Sequence, residues 1–112
     1  MEFEQIYWHD GTLEFINFLV NENGISLTAK FKVYGNDSSP SRSELTVLFE
    51  CISSHQFAID AVELMSNYNA GNIIDAFCKY RNVSPSQYVY RFLFLDGYLE
   101  IITSNLAKIL AR

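Results

Sequence analysis

Between Ile25 and Tyr34 every second residue is apolar: Ile25, Leu27, Ala29, Phe31 and Val33 alternate with Ser26, Thr28, Lys30 and Lys32. A period of two sends successive side chains to opposite faces, so this stretch reads as a strand with one dry and one wet side. Residues 44–53 repeat the pattern. Leu45, Val47, Phe49 and Cys51 face one way, Glu44, Thr46 and Glu50 the other, with Leu48 the apolar exception. Strands wet on one face belong to antiparallel sheets, because parallel sheets are covered on both. The intervening GNDSSPSRS, residues 35–43, is rich in turn formers and reads as a loop.

Other segments follow from this frame. TLEFINFLV, residues 12–20, is strand-like with a broken phase: Leu13 and Phe15 share one face, Ile16, Phe18 and Val20 the other. Either a bulge shifts the phase near Phe15 or both faces are covered. Asn21-Glu22-Asn23-Gly24 then closes a hairpin onto residues 25–34. Residues 87–95 and 98–103 flank Asp96-Gly97, a second hairpin signal. Tyr88, Tyr90, Phe92 and Phe94 share a face opposite Val89, Leu93 and Leu95, which marks a central strand. Asp60 followed by Glu63 resembles a helix start, and Ala61, Leu64, Met65 and Tyr68 fall on one helical face. A short helix over 60–68 is predicted, ended by Asn69-Ala70-Gly71. Residues 73–80 fit a strand or a helix, the strand agreeing better with the turn and strand that follow. The tail SNLAKILAR fits either a last strand or a short helix. The expected fold class is α+β, mainly antiparallel β, in a single domain of residues 1–112. It is a curved six- or seven-stranded sheet or sandwich with one or two short helices.

At 112 residues the chain can bury one real core, and 15% aromatic content suits strands and buried faces. No apolar run approaches the roughly 20 residues that span a bilayer, and MEFEQIYWHD lacks the basic start of a secretion signal. A cytoplasmic location is expected, with no membrane association. In that setting Cys51 and Cys78, each inside an apolar segment, read as reduced buried thiols.

Charge is unevenly distributed. Residues 1–29 carry Glu2, Glu4, Asp10, Glu14 and Glu22, and residues 43–78 carry Glu44, Glu50, Asp60, Glu63 and Asp75. Neither block has a Lys or Arg. With a net charge of −5, such a surface repels nucleic acid and attracts a basic partner. The plainer alternative is ordinary wet strand faces that confer solubility.

Catalytic and metal signals are thin. Only His9 and His55 are present, and neighbours on an extended chain point apart, so His9 and Asp10 converge only if a turn bends them. No HxxxH, HxH, CxxC or G-x-S-x-G occurs, and the five glycines are too scattered for a phosphate loop. No cofactor or metal is expected. Tyr7-Trp8-His9-Asp10 offers aromatics beside acids, a plausible anchor for a protein partner; the alternative is that Trp8 covers one edge of the core.

Trp8-His9-Asp10 with Leu13, Ala70-Gly71-Asn72-Ile73 with Asp75, and Leu95-Asp96-Gly97 with Leu99 and Ile101 form a familiar combination. It resembles small single-domain bacterial proteins that open on WHD-x-x-L and close on L-D-G-x-L-x-I. Some of these resemble the immunity proteins of polymorphic or contact-dependent toxin systems. The resemblance implies a non-enzymatic inhibitor that holds a basic toxin domain, often a nuclease, by stoichiometric association. The expected docking residues are Glu2, Glu4, Tyr7, Trp8, Asp10 and Glu14, with Glu44 and Glu50 on the polar side of their strand. The competing expectation is a small binding or scaffold domain, homodimeric through an apolar sheet face. An enzyme built on His9 and Asp10 ranks third, and requires a cleft that brings them to His55 or another acid.

Overall fold

The computed structural model describes residues 2–22, 24–59 and 72–111. They form an N-terminal 3₁₀ turn, Phe3–Gln5, and eight strands: β1 Thr12–Asn21, β2 Gly24–Tyr34, β3 Arg42–Phe49, β4 Ile52–Ile59, β5 Ile73–Arg81, β6 Gln87–Phe94, β7 Gly97–Thr103 and β8 Lys108–Ala111. Every pairing is antiparallel. The strands divide into two four-stranded sheets, ordered β1-β2-β3-β8 and β4-β7-β6-β5. Of the two arrangements expected, this is the two-layered one and not the single curved sheet, and the described strands number eight rather than six or seven.

The division has a local cause. The alternation over residues 44–53 reads as one strand, but the pairing of β3 stops at Phe49 and β4 starts at Ile52. Between them Cys51 takes φ 55°, a left-handed conformation that turns the chain out of the first sheet and into the second. That backbone costs a non-glycine residue about 1–2 kcal/mol, and the Cys51 carbonyl accepts the Ser104 amide at 3.2 Å across the bend. Cys51 is exposed, not buried as expected, and both cysteines are free thiols. Residues 53–58 belong to β4, so His55 sits on an outer strand of the second sheet.

β1 carries the bulge that its broken phase requires: the register with β2 shifts between Leu13 and Phe15. Beyond it Ile16 and Phe18 lie opposite Ala29 and Leu27, facing inward, and Phe15 lies opposite Lys30, facing out. Residues 73–81 are strand, with a similar shift between Ile73 and Asp75 that turns Ile73 inward. β6 is internal, between β5 and β7, with Tyr90, Phe92 and Phe94 buried. The β6–β7 loop is Leu95-Asp96, one residue earlier than the Asp-Gly signal, since Gly97 already pairs with Phe94. The tail ends as β8, a strand. The helix predicted over 60–68 and its Asn69-Ala70-Gly71 stop lie outside the described residues.

Thr12 bridges Asn72 at the foot of β5, while Phe18 rests on His55 of β4 with ring centroids 4.6 Å apart. β5 and β4 are the two outer strands of the second sheet, so β1 crosses that sheet's whole width. The sheets therefore pack at a steep angle. Their interface is an aromatic core in which Phe31 stacks on Phe92 at 5.0 Å and Phe49 meets Tyr90 edge-on at 5.2 Å.

The N-terminal segment completes this core. Phe3, Ile6 and Trp8 are each 5–6% exposed, and the Trp8 ring meets Phe31 and Phe92 at 4.9 and 5.1 Å. The indole N–H donates to the Phe3 carbonyl at 3.2 Å, so the ring is buried without an orphaned donor. The chain then returns at Gly11. A β-carbon there would stand 3.0 Å from the carbonyl oxygens of both Lys32 and Trp8, so glycine lets the segment lie this close to β2 without displacing either backbone.

Candidate protein-docking site

The wet face of the first sheet holds three of the expected docking acids. Strand order decides their character. β2 lies between β1 and β3, and its outward residues Lys30 and Lys32 lie between the acids of the two neighbours. Lys32 Nζ is 3.4 Å from Glu14, and Lys30 Nζ is 3.7 Å from Glu44. Lys108 of β8 reaches Glu50 at 2.7 Å, and that carboxylate holds the lysine's pKa above its ordinary value. The two base-free blocks thus share a sheet without forming a continuous negative patch. Each expected acid on this face meets a lysine from another part of the chain.

The corner built by the N-terminal segment differs. Asp10 donates its backbone amide to the Ile73 carbonyl at 2.8 Å, and the Ile73 amide returns to the Gly11 carbonyl at 2.8 Å. This two-bond clamp ties the segment to the foot of β5. Residues 9–10 form a turn, with Asp10 at φ 63°, and the turn makes His9 and Asp10 converge: Nε2 stands 3.6 Å from Oδ2. His9 Nδ1 lies 3.0 Å from the Ile74 carbonyl. A carbonyl only accepts, so Nδ1 carries a proton and the ring is held with Nε2 toward Asp10. The Tyr7 ring stands edge-on to His9 at 6.3 Å.

Tyr7 and His9 form the ridge between two grooves. The larger, about 750 Å³, runs between the 9–10 turn and the β2–β3 loop, and Asp10, Asp37, Tyr34 and Arg42 line it. Arg42 is held inside it, donating to Thr12 Oγ1 at 2.9 Å and lying 5.9 Å above the Tyr34 ring. The smaller, about 370 Å³, runs between the 3₁₀ turn and β5, with Glu4 and Asp75 at its walls and no lysine or arginine among its described lining residues. Beneath it burial pushes the Cys78 thiol and, more strongly, the Tyr90 phenol above their ordinary pKa values. The Glu4 charge adds to both shifts. Glu2 is exposed just ahead of the turn, where its amide donates to the Gln5 side chain at 2.7 Å.

The expected docking residues therefore separate. Glu2, Glu4, Tyr7 and Asp10 stand together at the corner. Glu14, Glu44 and Glu50 lie elsewhere in lysine pairs. Trp8 is 5% exposed and is a core residue, which corrects its assignment as an interface anchor. Asp37, Asp75 and His9 were not in the expected docking set, and only the clamp between Asp10 and Ile73 and the β2–β3 loop bring them in. His55 lies on β4 against Phe18, while the acids lining the His9 groove are Asp10 and Asp37. Among the described residues no three His, Cys, Asp or Glu side chains are grouped closely enough to hold a metal, and no helix is long and apolar enough to cross a membrane.

No family model, curated protein or solved structure matches the chain. The class that fold and grooves define is a two-sheet antiparallel β domain with an acidic, aromatic double groove at one corner.

Proposed function

We propose that this protein is a cytoplasmic immunity-type inhibitor that neutralises a basic bacterial toxin domain, a nuclease, by stoichiometric binding at the N-terminal corner. One observation carries the reading. Glu4, Asp75, Asp10 and Asp37 line two grooves joined by Tyr7 and His9, and these four acids have no lysine or arginine partner among the described residues. Neutralised carboxylates steer nothing, whereas unpaired ones raise the association rate of a cationic surface. The half-buried Tyr7 ring between the grooves supplies apolar contact that slows dissociation. A nuclease surface shaped to hold phosphates presents the matching positive charge.

The test is capture of a partner from the native host by the tagged full chain, at low and at high salt. A basic protein retained at low salt, and lost when Glu4, Asp10 and Asp75 are changed to lysine, supports the reading. Equal capture by the triple variant, or recovery of an acidic or uncharged partner, overturns it. The triple change Glu14→Lys, Glu44→Lys and Glu50→Lys is the control, and it leaves capture within a few-fold of the parent.

A further inference from the structure

The smaller groove joins an apolar floor to charged walls. Ile6, Ala76, Phe77 and Cys78 line it, and Phe77 is 39% exposed there. Glu4 stands on the 3₁₀ turn at one side and Asp75 on β5 at the other. The Asp75 carboxylate is held in place, because its Oδ1 accepts the Ala76 amide at 2.9 Å. The Glu4 charge acts across the groove, adding to the burial that raises the Cys78 pKa. Neither acid has a lysine or arginine partner among the described residues. The larger groove differs, because Arg42 is held within it and opposes a second cation.

We infer that the smaller groove takes one long basic side chain, a lysine or arginine, presented by the protein partner. That this side chain belongs to a protein rests on the inhibitor reading; its chemistry follows from the groove alone. Lysine and arginine carry an apolar stem below a charged head. The stem covers Ile6, Ala76 and Cys78, and the head stands between Glu4 and Asp75, donating charge-assisted hydrogen bonds to carboxylates on two sides. Other occupants match only half of this site. A divalent metal ion needs about six oxygen ligands, and among the described residues no three acid, histidine or cysteine side chains are grouped closely enough to hold one. A purely apolar group would bury both carboxylates without a counter-charge. A short cation would leave the apolar floor in water.

End-blocked tripeptides with a central lysine or arginine test this on the full chain, at constant ionic strength. Two analogues divide the side chain: norleucine keeps the stem and loses the charge, and diaminopropionate keeps the charge and shortens the stem. The readout is alkylation by neutral iodoacetamide, followed at each thiol by mass spectrometry. Cys78 reports on the groove, and Cys51, which does not line it, is the internal control. At about twice their Kd, the lysine and arginine peptides should slow Cys78 alkylation about threefold and leave Cys51 unchanged. Neither analogue should protect Cys78. Glu4→Gln with Asp75→Asn should abolish the protection with circular dichroism unchanged, whereas Glu14→Gln with Glu44→Gln should retain it. Absence of protection by both basic peptides overturns the inference, as does equal protection by norleucine or protection that survives Glu4→Gln with Asp75→Asn. The norleucine comparison uses the unaltered chain, so it decides the matter whatever the variants do to folding. Capture of a basic protein without Cys78 protection by the peptides overturns this inference and leaves the inhibitor reading standing. Protection by the basic peptides without such capture supports the groove's specificity and overturns the inhibitor reading alone.

Discussion

The wet face of the first sheet and the N-terminal corner draw on the same resource, carboxylates from the two segments that contain no bases, to which the corner adds Asp37 of the β2–β3 loop. On the sheet, the order β1-β2-β3 interleaves Lys30 and Lys32 with Glu14 and Glu44, and the face becomes a lattice of exposed pairs. At the corner, the chain folds back through a turn and a clamp. The elements that meet there, the 3₁₀ turn, the foot of β5 and the β2–β3 loop, bring Glu4, Asp75, Asp10 and Asp37 and, among the described lining residues, one arginine, Arg42, and no lysine. Local acidity is therefore a poor guide to surface potential in a sheet protein. What counts is the composition of the strand next door, which can come from anywhere in the chain.

The largest test of this contrast removes the support under the corner. Trp8→Ala deletes a ring packed against Phe3, Phe31 and Phe92 and should cost about 3–5 kcal/mol, lowering the melting temperature and abolishing partner capture together. The next separates charge from folding. Asp10→Lys with Asp75→Lys should weaken partner binding by roughly 100-fold, about 3 kcal/mol, with the melting temperature little changed in calorimetry. Equal weakening by Glu14→Lys with Glu44→Lys would erase the distinction between the two regions.

Tyr90 lies below the smaller groove and reports on it through pH. Burial raises its folded-state pKa above the ordinary 10.0 of an unfolded tyrosine. Above about pH 10 the native state consequently holds a proton that the unfolded state releases. Its stabilising contribution is present in full below that pH and falls away as pH rises toward the folded-state value. Denaturant titrations from pH 8 to about 11 should show this decline. Tyr90→Phe should reduce it, while costing about 1 kcal/mol at neutral pH because the Ala107 amide loses its acceptor at 2.8 Å. The smallest effect belongs to the lattice. Glu14→Gln and Glu44→Gln should each change stability by less than about 0.5 kcal/mol, since exposed pairs gain little over solvated charges. A larger loss in chemical denaturation would mean the wet face is held by its charges after all.

Much of the fold is legible in the residues. The alternation of Ile25–Tyr34 became β2 with Leu27, Ala29, Phe31 and Val33 fully buried, and the broken phase of β1 became a bulge at the expected place. The division of residues 44–53 was hidden, because alternation persists through Cys51 while the backbone turns there by a left-handed residue that leaves no compositional mark. For the site, Glu2, Glu4, Tyr7 and Asp10 were legible as acids beside aromatics. Asp37 and Asp75 were not: Asp75 is recruited by a pair of backbone hydrogen bonds more than sixty residues apart in sequence, and Asp37 by the β2–β3 loop that lines the larger groove opposite the 9–10 turn. Backbone groups are the same in every residue and carry no sequence signal.

Side-chain periodicity and turn chemistry are local properties, so the sequence by itself determined the strands β2, β3, β6 and β7, the turns that join them, and the dry face each presents. Tertiary structure alone decided between one sheet and two, between a core and an interface place for Trp8, and which acids lack a lysine or arginine partner among the described residues. Each of these depends on which segments become neighbours in space, and the fold sets that by burying the most apolar surface rather than by matching charges along the chain.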